Sequence, residues 1–345
     1  MKGEIMTIQA ERFEAILNQT KNLSPILVLG DIGLDKYTYG EVSRISPEAP
    51  VPVLEVQKEW KKLGLAANVS DNLQALEVKT SLCGIVGQDS NADLILQLLE
   101  DHHIGSTGIL KIPNRMTTFK ERVTTNAQQI CRIDYETKTP ILSDYTAKIL
   151  DKIHNMATVH SALILEDYAK GMLSEQLIQE AIATFRSANK IVAVDPSRQT
   201  PATYYKGATL LKPNLAEAKV LAEQLGFRDN GKDDVEKISA LLLDKLNLEM
   251  VVLTMGAKGV AITDREKYAK TQIIPTYARE VFDVSGAGDT FVSVLTASLV
   301  AGANIYEASY IANLAAGVVV GKKGTAVTSQ IELRKFYKLI ASDLA

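Results

Sequence analysis

The residues best suited to chemistry lie in one short segment. Residues 283–290 read Asp-Val-Ser-Gly-Ala-Gly-Asp-Thr, and the apolar run after them predicts a helix. Gly286, Ala287 and Gly288 would let a ligand approach the backbone, and the first turn of a helix offers unpaired N–H groups. Together they would form an anion hole for a phosphoryl group in transfer. Asp289 could accept the proton of an attacking hydroxyl as general base.

The elements that must position this segment are short apolar strands, each ending in a polar residue or glycine. Residues 26–30 are a continuous apolar run, which is typical of a strand buried on both faces of a parallel sheet. Similar runs lead into residues 166–167, 195–196, 212–214 and 254–256, and helical stretches lie at 8–20, 174–187, 215–225 and 233–246. This alternation predicts βαβ units, whose ligands bind at the carboxyl ends of the strands.

Two segments depart from this alternation. Residues 36–60 contain three prolines and an alternating apolar–polar run, and residues 114–136 alternate over a longer span. Both predict antiparallel strands that are exposed on one face. We interpret them as a small sheet, here called the lid, inserted into a single domain that spans residues 1–345.

Composition excludes several classes of protein. The net charge of −3 and the pI near 5.9 argue against nucleic-acid binding through a broad basic surface. Two cysteines, Cys83 and Cys131, are too few for a disulfide framework or a zinc cluster. The sequence has no signal peptide and no apolar stretch long enough to cross a membrane, so we expect a cytoplasmic protein.

The segment at residues 283–290 resembles one signature of the ribokinase-like (PfkB) carbohydrate kinases. Gly64-Leu65-Ala66-Ala67-Asn68 resembles the other, except that Leu65 replaces the second of a pair of glycines. The resemblance covers residues 25 to about 330. It implies a three-layer α/β/α core with a mostly parallel sheet, a small β-sheet lid, and ATP and Mg²⁺ as cofactors.

Other segments resemble one subfamily, the kinases that phosphorylate D-glycero-β-D-manno-heptose 7-phosphate at its anomeric oxygen for ADP-heptose and lipopolysaccharide synthesis. The matching segments are residues 30–37, 43–53, 126–134 and 167–171. Glu166 departs from the subfamily, which has a small polar residue there. Bifunctional relatives carry a nucleotidyltransferase domain after the kinase, and the residues after Val327 are too few for one.

The resemblance also implies which residues bind the acceptor sugar. Asp35 would bind sugar hydroxyls, and the loop of Gly64 and Asn68 would pack against the sugar, with Asn68 as the contacting side chain. Asp167 belongs to the same substrate site. The candidates for binding the substrate's own phosphate are basic residues in the subfamily segments or in the lid: Arg44, Arg122, Arg132 and Lys170.

Residues 212–217 resemble the family's Asn-x-x-Glu motif, in which Asn214 and Glu217 would orient waters on Mg²⁺. The remaining nucleotide contacts implied by the resemblance are Thr254, Gly256 and Gly259 at the phosphates, and Asn313, Gly317 and residues 323–326 around the adenine. The partners would be a small sugar phosphate and a second copy of the chain, bound through exposed strand edges of the lid.

Several assignments have structural alternatives. Asp289 could be a helix N-cap, Gly64–Asn68 a plain helix-start turn, Asp35 a turn residue, and Asn214–Glu217 an ordinary helix start. The basic candidates could be solvated surface charges. Two other functions also stay open: a sugar or nucleoside kinase with another acceptor, and a non-catalytic nucleotide or sugar sensor.

Overall fold

Thirteen strands in two sheets and ten α-helices are found in the computed structural model, which describes residues 8–126, 128–228, 234–266, 271–322 and 324–344. The strands are β1 Ile26–Gly30, β2 Ile32–Ile45, β3 Pro52–Leu65, β4 Thr80–Gly87, β5 Gly105–Ile112, β6 Thr118–Thr124, β7 Gln129–Tyr135, β8 Ala162–Glu166, β9 Ile191–Asp195, β10 Leu210–Leu211, β11 Met250–Thr254, β12 Val260–Asp264 and β13 Gln272–Ile274. The helices are α1 Ala10–Thr20, α2 Ala66–Ala75, α3 Ser90–Asp101, α4 Ser143–Ala157, α5 Glu175–Ser187, α6 Leu215–Gln224, α7 Val235–Lys245, α8 Ala287–Val300, α9 Ile305–Val320 and α10 Gln330–Leu344.

The main sheet has nine strands in the order β13-β12-β11-β10-β9-β8-β1-β4-β5. Its strands are parallel from β11 to β5, and β12 and β13 are antiparallel. Every residue of the central strand β1 is buried, as its continuous apolar run predicts. Helices α1, α2, α3, α8, α9 and α10 pack on one face and α4 to α7 on the other. The three-layer α/β/α prediction is therefore confirmed.

Helix α8 is anchored within the core because polar side chains along it form hydrogen bonds with α2. Thr290 donates a hydrogen bond to Asn72 Oδ1 at 2.6 Å, and Ser293 donates to the Val69 carbonyl at 3.0 Å. The residues from 289 to 298 are all buried. Since these bonds fix the rotation of α8, they also fix the direction of the side chains in its first turn.

The lid is a four-stranded sheet in the order β3-β2-β6-β7. The hairpins β2–β3 and β6–β7 are antiparallel, but β2 and β6 pair in parallel, so the prediction of antiparallel pairing is wrong for that contact. The reason lies in the main sheet. Because β2 follows β1 and β6 follows β5, two strands that run in the same direction, β2 and β6 leave the sheet in the same direction.

The far end of the β2–β3 hairpin extends beyond the rest of the lid. Strand β2 pairs with β6 only over Gly33–Tyr39. Residues 40–56, here called the arm, therefore form a two-stranded projection within the described residues. Its exposed apolar side chains are Val42, Ile45, Val51 and Val56. In the described parts of the chain, no helix is long and apolar enough to cross a membrane.

Candidate active site

A cavity of about 960 Å³ opens at the carboxyl ends of the parallel strands, between the core and the lid. This is the position expected for the ligand site of such a sheet, and the volume suits a small-molecule site. The predicted site residues that line it are Asp167, Lys170, Asn214, Glu217, Thr254, Gly256, Gly259, Ala287, Gly288, Asp289, Asn313 and Gly317.

The N-terminus of α8 faces this cavity. Gly286 is the N-cap, with a φ of 79° that favours glycine, and Asp289 is the third helical residue. Asp289 is therefore not the N-cap, which removes that alternative. The N–H of Ala287 bonds to the Val284 carbonyl, whereas the first bond back into the helix comes from Thr290. The N–H groups of Gly288 and Asp289 are left to face the cavity.

The carboxylate of Asp289 is buried and receives one hydrogen bond on each oxygen. Asn68 Nδ2 donates to Oδ2 at 2.5 Å, and the Tyr168 hydroxyl donates to Oδ1 at 2.9 Å. Burial raises the pKa of Asp289, and these two hydrogen bonds oppose that rise. Each oxygen keeps a further lone pair that could accept a proton from a substrate hydroxyl.

The junction of β3 and α2 supports this arrangement. Asn68, in the first turn of α2, donates its amide to Asp289, so the structure places it beside the candidate base. Leu65 has a φ of 57° and a ψ of −136°, so it keeps the backbone that a glycine would adopt. A Cβ on Gly64 would lie 3.1 Å from Asp35 Oδ2, so glycine gives that carboxylate room.

Asp35 lies on the lid, where it is paired with a cation. Arg122 Nη1 donates to Asp35 Oδ1 at 2.8 Å, and both side chains are largely buried. The guanidinium also lies 5.3 Å from the ring centre of Tyr37. Asp35 and Arg122 thus form a largely buried ion pair on the lid, next to Lys120 in the register of β2 and β6.

The other basic candidates are placed differently. Lys170 lines the cavity and pairs with Glu136 at 2.5 Å. Arg132 is half exposed and holds Asp134 through two bonds of 2.9 Å, and Arg44 is exposed on the arm. Within one chain, the structure brings Lys170 to the cavity but not Arg44 or Arg132.

Asp167 has protein partners on both oxygens. Its Oδ2 accepts from the Thr200 and Tyr205 hydroxyls, each at 2.7 Å, and its Oδ1 accepts from the Ala169 N–H at 2.7 Å. These bonds hold the turn that follows β8. The structure thus gives Asp167 a supporting position at the edge of the cavity.

Asn214 and Glu217 form a reciprocal capping box at the start of α6. Asn214 Oδ1 accepts from the Glu217 N–H at 3.0 Å, and Glu217 Oε2 accepts from the Asn214 N–H at 2.8 Å. The structural alternative for this motif is therefore realised. Glu217 lines the cavity and uses only its Oε2 in the cap, so the same residues could also orient water on a cation.

Glycines and amides shape the part of the cavity where the nucleotide contacts are predicted. Gly259 has a φ of 87°, and a Cβ there would lie 2.0 Å from the Ile274 carbonyl oxygen, so only glycine fits. Gly256 also has a positive φ, and the Thr254 N–H bonds to the Pro213 carbonyl. Asn313 donates to the Pro275 carbonyl, and Gly317 packs against Phe336. Lys323, predicted to border the adenine site, lies outside the described residues.

Three charged residues at strand ends were site candidates from the sequence by position alone, with no role assigned. Lys212 Nζ forms a buried ion pair with Asp195 Oδ2 at 2.8 Å, and a Cβ on Gly288 would lie 3.7 Å from the same ammonium. Burial raises the pKa of Asp195 to about 7 although Lys212 opposes the rise. Burial and the nearby Asp195 raise the pKa of Glu166 well above its usual value, and Glu166 Oε2 has no hydrogen-bond partner among the described residues. Their position at strand ends was the available signal.

No group of three or more His, Cys, Asp and Glu side chains in the described residues converges as a direct metal site. Magnesium at a phosphoryl-transfer site commonly keeps several waters and binds few carboxylates. The unpartnered Glu166 oxygen and the Glu217 carboxylate beside the anion hole therefore fit a hydrated Mg²⁺ ion held mainly by phosphates.

The profile of the pfkB family carbohydrate kinases matches residues 30–332. The chain belongs to this family. Several relatives carry the name bifunctional protein HldE. Those of Wolinella succinogenes and Helicobacter pylori are 39% and 38% identical over 311 residues, and that of Geobacter sulfurreducens is 39% identical over 307 residues. The alignments cover 89–90% of this chain but only 61–66% of each relative, so the chain spans less than two thirds of their length.

Solved structures of pfkB-type enzymes share the fold. Arabidopsis thaliana ribokinase, complexed with ribose and ATP, has a TM-score of 0.71 and 21% identity, covering 92% of this chain and 99% of that one. Escherichia coli phosphofructokinase-2, in complex with potassium, has a TM-score of 0.75 and 18% identity, covering 92% and 100%. At these identities the likeness establishes the ribokinase-like fold of this pfkB chain.

Proposed function

We propose that this pfkB kinase transfers the γ-phosphoryl group of ATP to the anomeric hydroxyl of D-glycero-β-D-manno-heptose 7-phosphate, a step toward ADP-heptose for lipopolysaccharide. The observation that carries the kinase assignment is Asp289, a buried carboxylate in the first turn of α8 beside free N–H groups. The acceptor rests on the subfamily resemblance of residues 30–37 and 43–53 and on the HldE relatives.

In this mechanism the acceptor hydroxyl lies against Asp289, which takes its proton as the oxygen attacks the γ-phosphorus in line. The N–H groups of Gly288 and Asp289 donate to the transferring group, and Lys212 adds a positive charge beside them. Asn214 and Glu217 would hold the waters of Mg²⁺. When bound, Mg²⁺ neutralises charge on the β- and γ-phosphates.

Replacement of Asp289 by Asn tests the base. The change keeps the shape but removes the proton acceptor, so we expect kcat to fall by about 10²- to 10⁴-fold while ATP still binds. An ADP-release assay gives kcat, and a thermal shift with ATP reports binding. Asp144→Asn, at an exposed first-turn position of α4, is the matched control and should keep wild-type turnover. Near-normal turnover of Asp289→Asn would rule out the base assignment.

The acceptor is tested with a panel of sugars and sugar phosphates in the same assay. Activity on an unphosphorylated hexose or a nucleoside, with none on heptose 7-phosphate, would favour a kinase with another acceptor. ATP binding without turnover on any acceptor would favour the sensor.

We also propose that the protein is a homodimer through the lid. An isolated two-stranded hairpin is marginally stable in water, and the arm exposes Val42, Ile45, Val51 and Val56 at 38–61% of their full accessible area. A second copy of the arm would cover these side chains and the free strand edges.

A further inference from the structure

The register of the lid places eight side chains in two rows on one face. Cross-strand partners in a sheet point to the same face, and residues two apart along a strand share that face. The first row is Lys62, Asp35, Lys120 and Asp134, and the second is Trp60, Tyr37, Arg122 and Arg132. Lys120 lines the active-site cavity, so this face borders the substrate site.

The two carboxylates next to Lys120 in its row, those of Asp35 and Asp134, each form an ion pair with an arginine of the second row. Asp35 bonds to Arg122 at 2.8 Å, and Asp134 bonds to Arg132 through two contacts of 2.9 Å. In the described parts of the chain, the Lys120 ammonium forms neither an ion pair nor a hydrogen bond. It lies 5.6 Å from the ring centre of Tyr168. Lys120 is therefore a partly buried cation without an ion-pair partner among the described residues.

Two further cations lie near Lys120. Burial lowers its pKa, and the positive charges of Lys170 and Arg122 lower it further, while Asp35 and Asp134 oppose them. Lys170 lines the same cavity, and Arg122 still has N–H groups beyond the one bonded to Asp35. A partly buried ammonium without an ion-pair partner is costly, and a bound anion would relieve that cost.

Tyr168 contacts both Lys120 and Asp289. Its ring lies beside Lys120, and its hydroxyl donates to Asp289 Oδ1 at 2.9 Å. An anion at Lys120 would thus lie near the ring of the tyrosine whose hydroxyl bonds to Asp289. A sugar that carries its phosphate on a different carbon from the reacting hydroxyl would suit this arrangement.

We propose that Lys120, flanked by Arg122 and Lys170, binds the phosphate group that the acceptor already carries, and that Lys120 thereby selects phosphorylated sugars. This inference rests on the proposed kinase function but names a contact and a substrate class that the function alone does not give. Lys120 is a binding residue here, and Asp289 remains the base.

Replacement of Lys120 by Gln tests the contact. If a charge-assisted hydrogen bond stabilises the bound substrate and the transition state equally, its removal raises KM more than it lowers kcat. With heptose 7-phosphate as the varied substrate, we expect KM to rise about 10- to 100-fold and kcat to change less than about threefold. KM for ATP should not change, and Lys120→Arg should recover most of the affinity. Calorimetric titration of heptose 7-phosphate without ATP should show the same loss of affinity.

Lys61→Gln is the matched control, because Lys61 is an exposed lysine on β3, one position from Lys62 and therefore on the other face of the lid. It should behave as wild type, and melting temperatures of all variants check the fold. An unchanged KM and an unchanged calorimetric affinity in Lys120→Gln would overturn the proposal. So would a wild type that does not bind heptose 7-phosphate, or a Lys120→Gln variant that loses as much affinity for unphosphorylated heptose.

The two proposals fail separately. If wild type turns over heptose 7-phosphate and Lys120→Gln matches it, the function stands and the subsite is wrong. If wild type prefers a different sugar phosphate and Lys120→Gln loses affinity for it, the subsite stands and the acceptor in the proposed function is wrong.

Discussion

The two oxygens of Asp289 have different partners, an amide from α2 and a phenol from the turn after β8. Burial favours the neutral acid, which cannot accept a proton, whereas hydrogen bonds to the carboxylate favour the charged base. The balance between these effects sets the pH range in which the residue can act. In the proposed mechanism Tyr168 would be a positioning residue, because its hydrogen bond also favours the ionised form of Asp289.

Removal of the Tyr168 hydroxyl should shift the pH dependence of the reaction. Tyr168→Phe loses a bond that lowers the pKa of Asp289, so that pKa should rise and the base should stay protonated to higher pH. We expect the acid limb of kcat/KM to move to higher pH. The measurement is kcat/KM from pH 5 to 9, with Tyr145→Phe on α4 as control. A uniform loss at every pH, with an unmoved acid limb, would contradict this role.

Sequence alone could indicate Asp289 and Asp35 because each follows a recognisable segment. It could not indicate that Arg122 pairs with Asp35 or Lys212 with Asp195, because these pairs depend on the registers of β2 with β6 and of β9 with β10. The sequence also could not indicate that Tyr168 bonds to Asp289, since this contact depends on how the turn after β8 packs against α8. Register and turn direction are properties of the assembled sheet and not of any one segment.

At the scale of elements, the turn at residues 167–171 brings Tyr168 and Lys170 to the cavity. Asp31 Oδ2 accepts from the N–H groups of Tyr168 at 3.2 Å and Lys170 at 3.0 Å, and Arg115 donates to the Lys170 carbonyl. Ala169 has a φ of 53°, which is unfavourable for a residue with a Cβ. The end of β1 thus holds a strained turn in place through one buried carboxylate.

Replacement of Asp31 by Asn should change how stability depends on pH. Burial raises the pKa of Asp31 from 3.8 to about 6. Below pH 3.8 the group is protonated in both states and costs nothing. Between pH 3.8 and 6 the carboxyl group is mostly ionised in the unfolded chain but mostly protonated in the folded state, so the free energy of unfolding falls by up to about 3 kcal/mol. The difference in unfolding free energy, Asp31→Asn minus wild type, should therefore increase between pH 4 and 6 and then level off.

Urea unfolding at pH 4 to 7 measures this difference. Asp101→Asn, an exposed carboxylate at the end of α3, is the control and should show a much flatter difference. A constant offset between Asp31→Asn and wild type over the whole range would show that Asp31 has an ordinary pKa.

At the scale of the whole molecule, the main sheet could be predicted from its apolar runs, and the lid segments from their alternation. The direction of β2 relative to β6 could not, because it follows from the direction of β1 and β5 in a sheet that the local pattern does not describe. The arm was also not distinguished from the rest of the lid, since pairing partners and not composition define where it begins.

The proposed homodimer can be tested by a substitution in the arm. Val56→Asp places a charge among its exposed apolar side chains, so we expect the dimer dissociation constant to rise at least tenfold, since a buried unpaired charge is costly. Sedimentation velocity over a range of protein concentrations measures it. Val159→Asp, at a similarly exposed valine outside the lid, should leave the dimer intact. A monomeric wild type, or an unaffected Val56→Asp dimer, would contradict the proposed interface.

Leu65 and Gly33 share one small volume at the base of the lid. A Cβ on Gly33 would lie 2.8 Å from Leu65 Cδ1, so the two positions cannot both carry a large side chain there. The strained backbone at Leu65 lowers the stability of the fold by about 1–3 kcal/mol, and burial of its side chain raises it by a similar amount. Leucine here and glycine in the family pattern are thus nearly equivalent solutions. We therefore expect the two positions to be energetically coupled, so that a side chain at residue 33 destabilises the fold less when residue 65 is glycine.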